Sequence, residues 1–168
     1  MIKDIMHVGI TVSDMEQSIA FYRDILGLEF KGELIMEGKE TDLLFARKNC
    51  KARVAYLNGS DQISAPPVEL IQFLNEPAKN DASDLFKTSI SEICFKVCDI
   101  EAVYRHLLAN NVECLSAPQT FDFTEYGFGK SKALYFKDPD GIILEIMEQI
   151  AKARMNCVNS YGLLSRWK

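Results

Sequence analysis

The sequence is poor in the cysteine patterns that stabilise small folds. Its five cysteines are odd in number and include no Cys-x-x-Cys pair among 168 residues. Secreted miniproteins depend on paired cysteines, and cysteine-rich zinc sites depend on closely spaced ones, so the pattern excludes both classes. A chain of this length buries a hydrophobic core without such support. Any metal ion bound here would therefore serve chemistry before stability.

The chain also lacks an excess of positive charge and a long apolar segment. Asp and Glu outnumber Lys and Arg 24 to 19, for a net charge of −5. That balance gives no attraction to nucleic acid or to an anionic membrane surface. No uncharged run approaches the roughly 18 residues of a membrane span, and no basic segment followed by an apolar one opens the chain. We therefore expect a cytoplasmic protein that binds neither nucleic acid nor membranes.

One order of predicted elements is present in the first half of the sequence and returns in the second. The first half predicts a strand at 6–12 and then a helix that begins at the capping box formed by Ser13 and Glu16 and ends before Gly27. Short β-like runs follow at 28–36, 43–46, 53–57 and 68–74. The first half therefore predicts a strand, a helix and about three further strands.

The second half repeats this order. A strand at 92–97 precedes a helix capped by Asp99 and ended by Asn110 and Asn111, and strands at 112–117, 132–136 and 142–148 follow, with a turn at 138–141. A shift of 85 residues places Asp14 on Asp99. The sequence thus predicts an α+β fold of two βαβββ modules, at 1–75 and 90–149, with a linker at 76–89 and an extension at 150–168.

Histidine is scarce, and only one of the two histidines is placed to bind a ligand. His106 lies within the predicted second helix and has no second ligand one turn away, so we interpret it as a partly exposed helix residue. Strand alternation puts His7, Gly9 and Thr11 on one face of the first strand and aliphatic residues on the other. His7 therefore points away from the face that packs on the helix.

Three glutamates occupy related positions in the predicted strands. Glu92 matches His7 at the shift of 85, while Glu69 and Glu145 each lie between aliphatic residues in the last strand of a module. A carboxylate in that setting requires a cation where water is only partly available. Together with His7, these residues offer four donors, which is a suitable number for a divalent ion. The alternative is an ordinary polar sheet face.

The motifs around these residues resemble the vicinal oxygen chelate superfamily, which includes glyoxalase I, methylmalonyl-CoA epimerase, extradiol dioxygenases and bleomycin-resistance proteins. The resemblance rests on HVGITVSD from His7, SIAFY from Ser18, ICFKVCDIEA from Ile93 and FKDPDG from Phe136. It implies paired βαβββ modules that form an open mixed-sheet barrel. It also implies a divalent ion, Mn, Co, Ni, Mg or Zn, held by His7, Glu69, position 92 and Glu145.

Position 92 departs from the pattern of the glyoxalase-like relatives, which generally have histidine there. A third carboxylate makes the ligand set more negative, weakens the ion as a Lewis acid and favours manganese, magnesium or cobalt over a nitrogen-rich zinc site. Glu92 has two other possible roles, as a base that does not contact the ion or as a partner of Lys96 on the same strand face. The sequence leaves these alternatives open.

The ligand set also bears on the reaction. Non-heme iron oxygenation uses two histidines and one carboxylate, and only His7 is available, so an extradiol dioxygenase is disfavoured. What the resemblance implies instead is a metal-dependent lyase or isomerase that acts on a small oxygenated metabolite through an enediolate-like intermediate, with Glu145 as the base. The resemblance further implies a homodimer.

Two other functions fit parts of the sequence. A metal-free binding protein of the bleomycin-resistance type would use the aromatic segment that contains Phe121, Phe123, Tyr126 and Phe128. A structural or regulatory protein would use the last residues for assembly, through Tyr161, Leu163, Leu164 and Trp167. The first alternative predicts ligand binding without an ion, and the second predicts an oligomer that depends on the extension.

Overall fold

The computed structural model describes residues 5–58, 67–76 and 83–150. The chain divides into two compact units, Met1–Lys87 with Lys137–Ile142 and Thr88–Phe136 with Ile143–Lys168. The aromatic and leucine residues of the predicted extension lie outside the described residues. The module boundaries deduced from the repeat stay predictions.

The first unit contains a four-stranded mixed sheet. Its strands are in the order β1-β4-β3-β2, and β1 runs parallel to β4 while the other neighbours are antiparallel. Helix α1 continues as a π-helical segment at Phe21–Ile25. In chain order the elements are β1 Val8–Thr11, α1 Met15–Ala20, β2 Glu29–Glu37, α2 Lys39–Leu44, β3 Lys51–Asn58 and β4 Val68–Phe73.

The second unit contains a sheet of the same design. Its strands are in the order β5-β8-β7-β6, and β5 runs parallel to β8 while β6 is antiparallel to β7. A 3-10 turn at Thr124–Tyr126 connects β6 to β7. The elements are β5 Ile93–Lys96, α3 Ile100–Ala109, β6 Gln119–Phe123, β7 Gly129–Lys137 and β8 Ile143–Ile150.

Strand register confirms the repeat at the level of single residues. Gly9 of β1 lies opposite Glu69 of β4, and Cys94 of β5 lies opposite Glu145 of β8. Gly9 and Cys94 are separated by the shift of 85 residues. His7 and Glu92 each stand one residue before the first strand of a module. The predicted α+β fold of two βαβββ modules with open mixed sheets is therefore confirmed.

Each unit buries the aliphatic face of its sheet. In the first unit, Ile10 and Leu70 occupy neighbouring positions on β1 and β4, and both are buried, as is Ile19 of α1. In the second, Leu107 of α3 and Leu144 of β8 are fully buried. Aliphatic residues thus alternate with the polar residues of the opposite face, which leaves that face available for a site.

The start of the first helix differs from the prediction. Asp14, not Ser13, is the N-cap, and its carboxylate accepts a hydrogen bond from the Gln17 amide. Ser13 instead donates its backbone amide to Asp140, and the Glu16 carboxylate pairs with Arg53. The capping box was wrong because two consecutive residues were chemically suitable caps, and the pairing of Ser13 with a distant turn decided between them.

The predicted strand at 43–46 is also wrong. Residues Lys39–Leu44 form helix α2, and the Asp42 carboxylate accepts the amides of Asn49 and Cys50, which fastens this helix to the start of β3. A run of four mainly apolar residues is too short for its periodicity to separate a strand from a helix. The first module therefore carries a helix between its second and third strands.

The predicted strand at 112–117 reduces to one isolated bridge, between Cys114 and Phe136. The edge strand of the second sheet is β6, which lies beyond Pro118 and includes Phe121 and Phe123. Alternation of aromatic and polar residues in QTFDF is a strand pattern. It escaped notice because these aromatics were interpreted as a ligand surface or a hydrophobic loop.

Candidate functional site

Glu69 is the centre of the polar face in the first unit. It lies on β4, between Gly9 of β1 and Tyr56 of β3. The Tyr56 hydroxyl donates to Glu69 Oε1 at 2.5 Å, and His7 Nε2 lies 3.2 Å from Glu69 Oε2. The Glu69 side chain is only 11% exposed, against 43% for His7. The imidazole of His7 and one carboxylate oxygen of Glu69 are therefore brought together as predicted for neighbouring ligands.

Gly9 keeps the space beside this pair open. A Cβ atom at position 9 would lie 3.5 Å from Glu69 Oε2 and 3.5 Å from Ile71 Cδ1, in ordinary van der Waals contact. A longer side chain would therefore begin next to the oxygen that faces His7. Glycine at this position leaves that oxygen accessible to a ligand.

The Tyr56 hydroxyl is a persistent hydrogen-bond donor. Its hydrogen bond to Glu69 raises the pKa of Tyr56, and desolvation and the negative charge of Glu69 raise it further. The phenol consequently stays protonated at neutral pH and continues to donate to Glu69. The Tyr56 ring also meets the His7 ring edge to face, with centroids 6.2 Å apart.

Glu145 has the corresponding place in the second unit. It is buried on β8, and the thiol of Cys94, its neighbour on β5, is hydrogen-bonded to its carboxylate. Desolvation is the largest cause that raises the pKa of Cys94, to about 12, followed by the bond to Glu145 and the charges of Glu145 and Glu92. Cys94 is therefore a protonated donor to Glu145 in this structure rather than a thiolate nucleophile.

Tyr135 repeats the tyrosine of the first unit. Residues 51–58 of β3 and 130–137 of β7 have nearly the same sequence of buried and exposed positions, and a shift of 79 places Tyr56 on Tyr135. Desolvation raises the pKa of Tyr135, as do the charges of Glu145 and Glu92 and the neighbouring Cys94. Each unit therefore has a strand tyrosine associated with its last-strand glutamate.

Sequence reasoning found the carboxylates and missed Tyr56, Tyr135 and Cys94. The two tyrosines are visible in the sequence when the third strand of each module is aligned with its own shift, because a single shift of 85 does not superpose them. Cys94 is the residue that the shift of 85 places on Gly9. It was interpreted as a buried reduced thiol, although it is exposed.

The predicted ligands form two local groups, one in each unit. His7 and Glu69 make the pair described above, and both Glu92 and Glu145 act on Cys94 and Tyr135. Within residues 5–58, 67–76 and 83–150, no group of three or more His, Cys, Asp or Glu side chains is arranged to hold a metal ion. An imidazole nitrogen beside a half-buried carboxylate oxygen nevertheless has the donor chemistry that a divalent ion requires.

His106 and the aromatic segment are separate from these groups of ligands. His106 is half-buried on α3, where the Asn110 side chain approaches its ring. Phe121 and Phe123 stack on each other with ring planes 7° apart and remain about 40% exposed. A stacking surface is therefore present on β6, as the binding-protein alternative requires.

The first unit also contains an open cavity of about 530 Å³ at the start of α2, lined by Glu37, Gly38, Lys39, Asp42, Asn49, Cys50, Lys51 and Asn75. Asp42 accepts two backbone amides and Lys51 pairs with Glu37. These polar groups already serve the fold. The cavity includes neither His7 nor Glu69, and the geometry gives it no part in the proposed chemistry.

These features agree with the comparison to known families. A sequence model of the Glyoxalase/Bleomycin resistance protein/Dioxygenase superfamily matches residues 4–146. The chain therefore belongs to this superfamily, and the resemblance noted in its motifs is confirmed. No helix in the described part of the chain is long and apolar enough to cross a membrane.

Individual relatives span nearly the whole chain. The uncharacterized protein YaeR of Escherichia coli is 32% identical over 88% of this chain and 98% of its own. The metallothiol transferase FosB of Staphylococcus epidermidis is 31% identical over 87% of this chain and 84% of its own. A crystal structure of a glyoxalase family protein from Bacillus cereus has a TM-score of 0.78 at 18% identity, and covers 90% of this chain and 97% of that one. The last similarity shows the fold alone.

Proposed function

We propose that this chain is a metal-dependent lyase or isomerase of the glyoxalase or epimerase type. Its substrate is a small oxygenated metabolite, and its ligands for a divalent ion are His7, Glu69, Glu92 and Glu145. The observation that carries the proposal is the separation of 3.2 Å between His7 Nε2 and Glu69 Oε2 on a half-buried sheet face. Membership of a superfamily that includes a metallothiol transferase supports the metal requirement.

The residues fit an ion of the Mn, Co, Ni, Mg or Zn group. Three carboxylates and one imidazole form a set dominated by oxygen, and such sets suit the harder ions of this group. Glu69 and Glu145 are both buried, and a buried carboxylate that lacks a cation is costly. A divalent ion would remove that cost in both units.

The residues of the chain then account for proton transfer. The bound ion supplies polarisation of a substrate carbonyl oxygen, which makes the neighbouring C–H bond more acidic. Glu145 accepts that proton as a general base, and the electrons of the C–H bond move into the carbonyl group. The same carboxyl group then returns the proton to the substrate. Cys94 donates to the Glu145 carboxylate and so contributes to its orientation.

Metal analysis of the purified protein tests this proposal. We expect about one divalent ion per chain by elemental analysis, or one tight site when metal-free protein is titrated with Mn²⁺. Glu69→Gln and Glu145→Gln should each remove that site, because a neutral amide is a poor ligand for a hard cation. Glu29→Gln is the matched control, since Glu29 is exposed and pairs with Lys31.

Two outcomes would contradict the proposal. An unchanged protein that contains no ion and does not bind Mn²⁺ would exclude a metal-dependent enzyme and favour the metal-free binding protein, with Phe121 and Phe123 as its surface. Glu69→Gln and Glu145→Gln variants that bind Mn²⁺ as well as the unchanged protein does would show that other residues hold the ion.

Thiol transfer is a second candidate reaction, and its support is the 31% identity to a metallothiol transferase. In this reaction the sulfur of a small thiol would form a bond to an electrophilic carbon of the second substrate. The two reactions are distinguishable with metal-loaded protein. A lyase or isomerase of the proposed type exchanges the substrate proton that Glu145 removes, whereas a transferase consumes one thiol for each molecule of product.

A further inference from the structure

Tyr56 contacts the proposed ligand Glu69 but has no part in the mechanism above. Its hydroxyl takes one carboxylate oxygen, Oε1, at 2.5 Å, while the other oxygen, Oε2, faces His7. The two oxygens of Glu69 are thus divided between a protein donor and the ligand side. We propose that Tyr56 is a positioning residue that makes Glu69 bind an ion through one oxygen, and that this selects against Ca²⁺.

Burial makes this division hard to reverse. Glu69 lies on β4 with a neighbouring strand on each side, and its side chain is 11% exposed. A rotation that turned both oxygens toward His7 would break the bond from Tyr56 and leave a buried donor and acceptor poorly satisfied. The hydroxyl bond to an ionised carboxylate is also stronger than a bond between neutral groups. The protein side of the carboxylate is therefore occupied before an ion arrives.

Ion preference follows from the number of oxygens that Glu69 offers. Ca²⁺ takes six to eight oxygen ligands and commonly binds carboxylates through both oxygens, whereas smaller ions such as Mg²⁺ require fewer ligands in stricter geometry. A carboxylate limited to one oxygen lowers the number of donors at the site. Tyr56 therefore favours Mn²⁺ and similar ions over Ca²⁺, which other oxygen-rich sites accept.

The second unit has the same design. Tyr135 stands on β7 where Tyr56 stands on β3, and Glu145 stands on β8 where Glu69 stands on β4. Conformational demands of a strand favour aromatic residues in general, but they do not require a tyrosine at the same position in both modules. A shared task toward the last-strand glutamate accounts for both tyrosines.

The inference rests on the proposed function, and Tyr56→Phe tests it. The variant keeps the ring and its contact with His7 and loses only the hydroxyl, so we expect it to fold. Tyr104→Phe, on helix α3, is the matched control. Isothermal titration calorimetry with Mn²⁺ and, separately, with Ca²⁺ gives the two affinities, and thermal unfolding without metal checks that each variant is folded.

Removal of a partner that orients a metal ligand typically weakens metal binding 10- to 100-fold. We expect a Mn²⁺ loss of that size in Tyr56→Phe, and a Ca²⁺ affinity that is unchanged or higher, so that the ratio of the two affinities falls at least tenfold. A residue that only supports the fold would weaken both ions equally.

The outcomes separate the two proposals. Tight Mn²⁺ binding by the unchanged protein together with an unchanged Mn²⁺ to Ca²⁺ ratio in Tyr56→Phe would overturn the role of Tyr56 and leave the metal site intact. Failure of the unchanged protein to bind Mn²⁺ would overturn the proposed function, and the role of Tyr56 with it.

Discussion

Tyr22 and Asp138 form a buried polar pair in the first unit. Tyr22 is fully buried and donates its hydroxyl to Asp138 Oδ2 at 3.0 Å, while Asp138 Oδ1 accepts the amides of Asp140 and Ile142. Every oxygen of the carboxylate is therefore engaged. A pair of this kind is sensitive to the loss of either partner, because the remaining group is left buried without its hydrogen bond.

We predict that Tyr22→Phe lowers the free energy of unfolding by about 1–3 kcal/mol at neutral pH, the usual cost of an unsatisfied buried acceptor. Chemical denaturation in urea measures this difference. Tyr104→Phe, which removes a hydroxyl from a half-buried helix position, should change stability by less than about 0.5 kcal/mol. Equal losses in the two variants would show that the bond to Asp138 has no special importance.

The same pair predicts a loss of stability in alkali. Desolvation, the charge of Asp138 and the hydrogen bond to it raise the pKa of Tyr22 well above its ordinary value. The contribution of the protonated phenol is therefore fully present below the unfolded-state pKa of about 10 and is lost as the pH rises through the folded-state pKa. The stability difference between the unchanged protein and Tyr22→Phe should shrink above about pH 10 in denaturation curves. A constant difference would contradict this explanation.

At the scale of single residues, the sequence predicted which side chains face the site but not what surrounds them. Alternation placed His7 and Glu69 away from the aliphatic face, and both lie there. The partner Tyr56 comes from a strand 13 residues before Glu69, and its hydrogen bond depends on strand register. Register is a tertiary property, which the sequence of one strand does not contain.

Helix starts are a case in which chemistry at the level of an element is directly testable. Asp14 caps α1 and Asp99 caps α3, each through its carboxylate. We predict that Asp14→Ala lowers the free energy of unfolding by about 1 kcal/mol, because an amide in the first turn of α1 loses its acceptor.

Ser13→Ala is the control for this prediction. Ser13 contributes its backbone amide, which alanine also has, to the bond with Asp140, so its stability should stay within about 0.5 kcal/mol of the unchanged protein. Urea denaturation measures both variants. A larger loss in Ser13→Ala than in Asp14→Ala would restore the capping box that the sequence predicted.

The elements that the sequence predicted well are those with strong local signals. Helix α3 has a cap, apolar periodicity and a terminating asparagine pair, and it spans Ile100–Ala109 as expected, with Asn110 as its C-cap. The 43–46 and 112–117 segments had only short apolar runs. Their conformation depends on Asp42 bonded to the start of β3 and on the pairing of β6 with β7, which local periodicity does not specify.

At the scale of the whole molecule, the homodimer stays a prediction from the resemblance. We expect sedimentation velocity at micromolar concentration to give a mass of twice 19.0 kDa. The same measurement on a chain truncated after Gln149 tests whether the extension takes part in assembly. An unchanged mass after truncation would count against the structural role of the extension, and a monomeric full chain would contradict the homodimer.

The grouping of Lys137–Ile142 with the first unit has a consequence for the order in which the protein is made. The ribosome completes β1, α1 and β4 well before it reaches Asp138, so the Tyr22 hydroxyl has no permanent acceptor while the second half is being synthesised. The first unit therefore reaches its final stability only after about 50 further residues have followed Lys87. Two genes that each encoded one half of the repeat would not yield two self-sufficient proteins, since the first would lack the turn that satisfies its buried tyrosine.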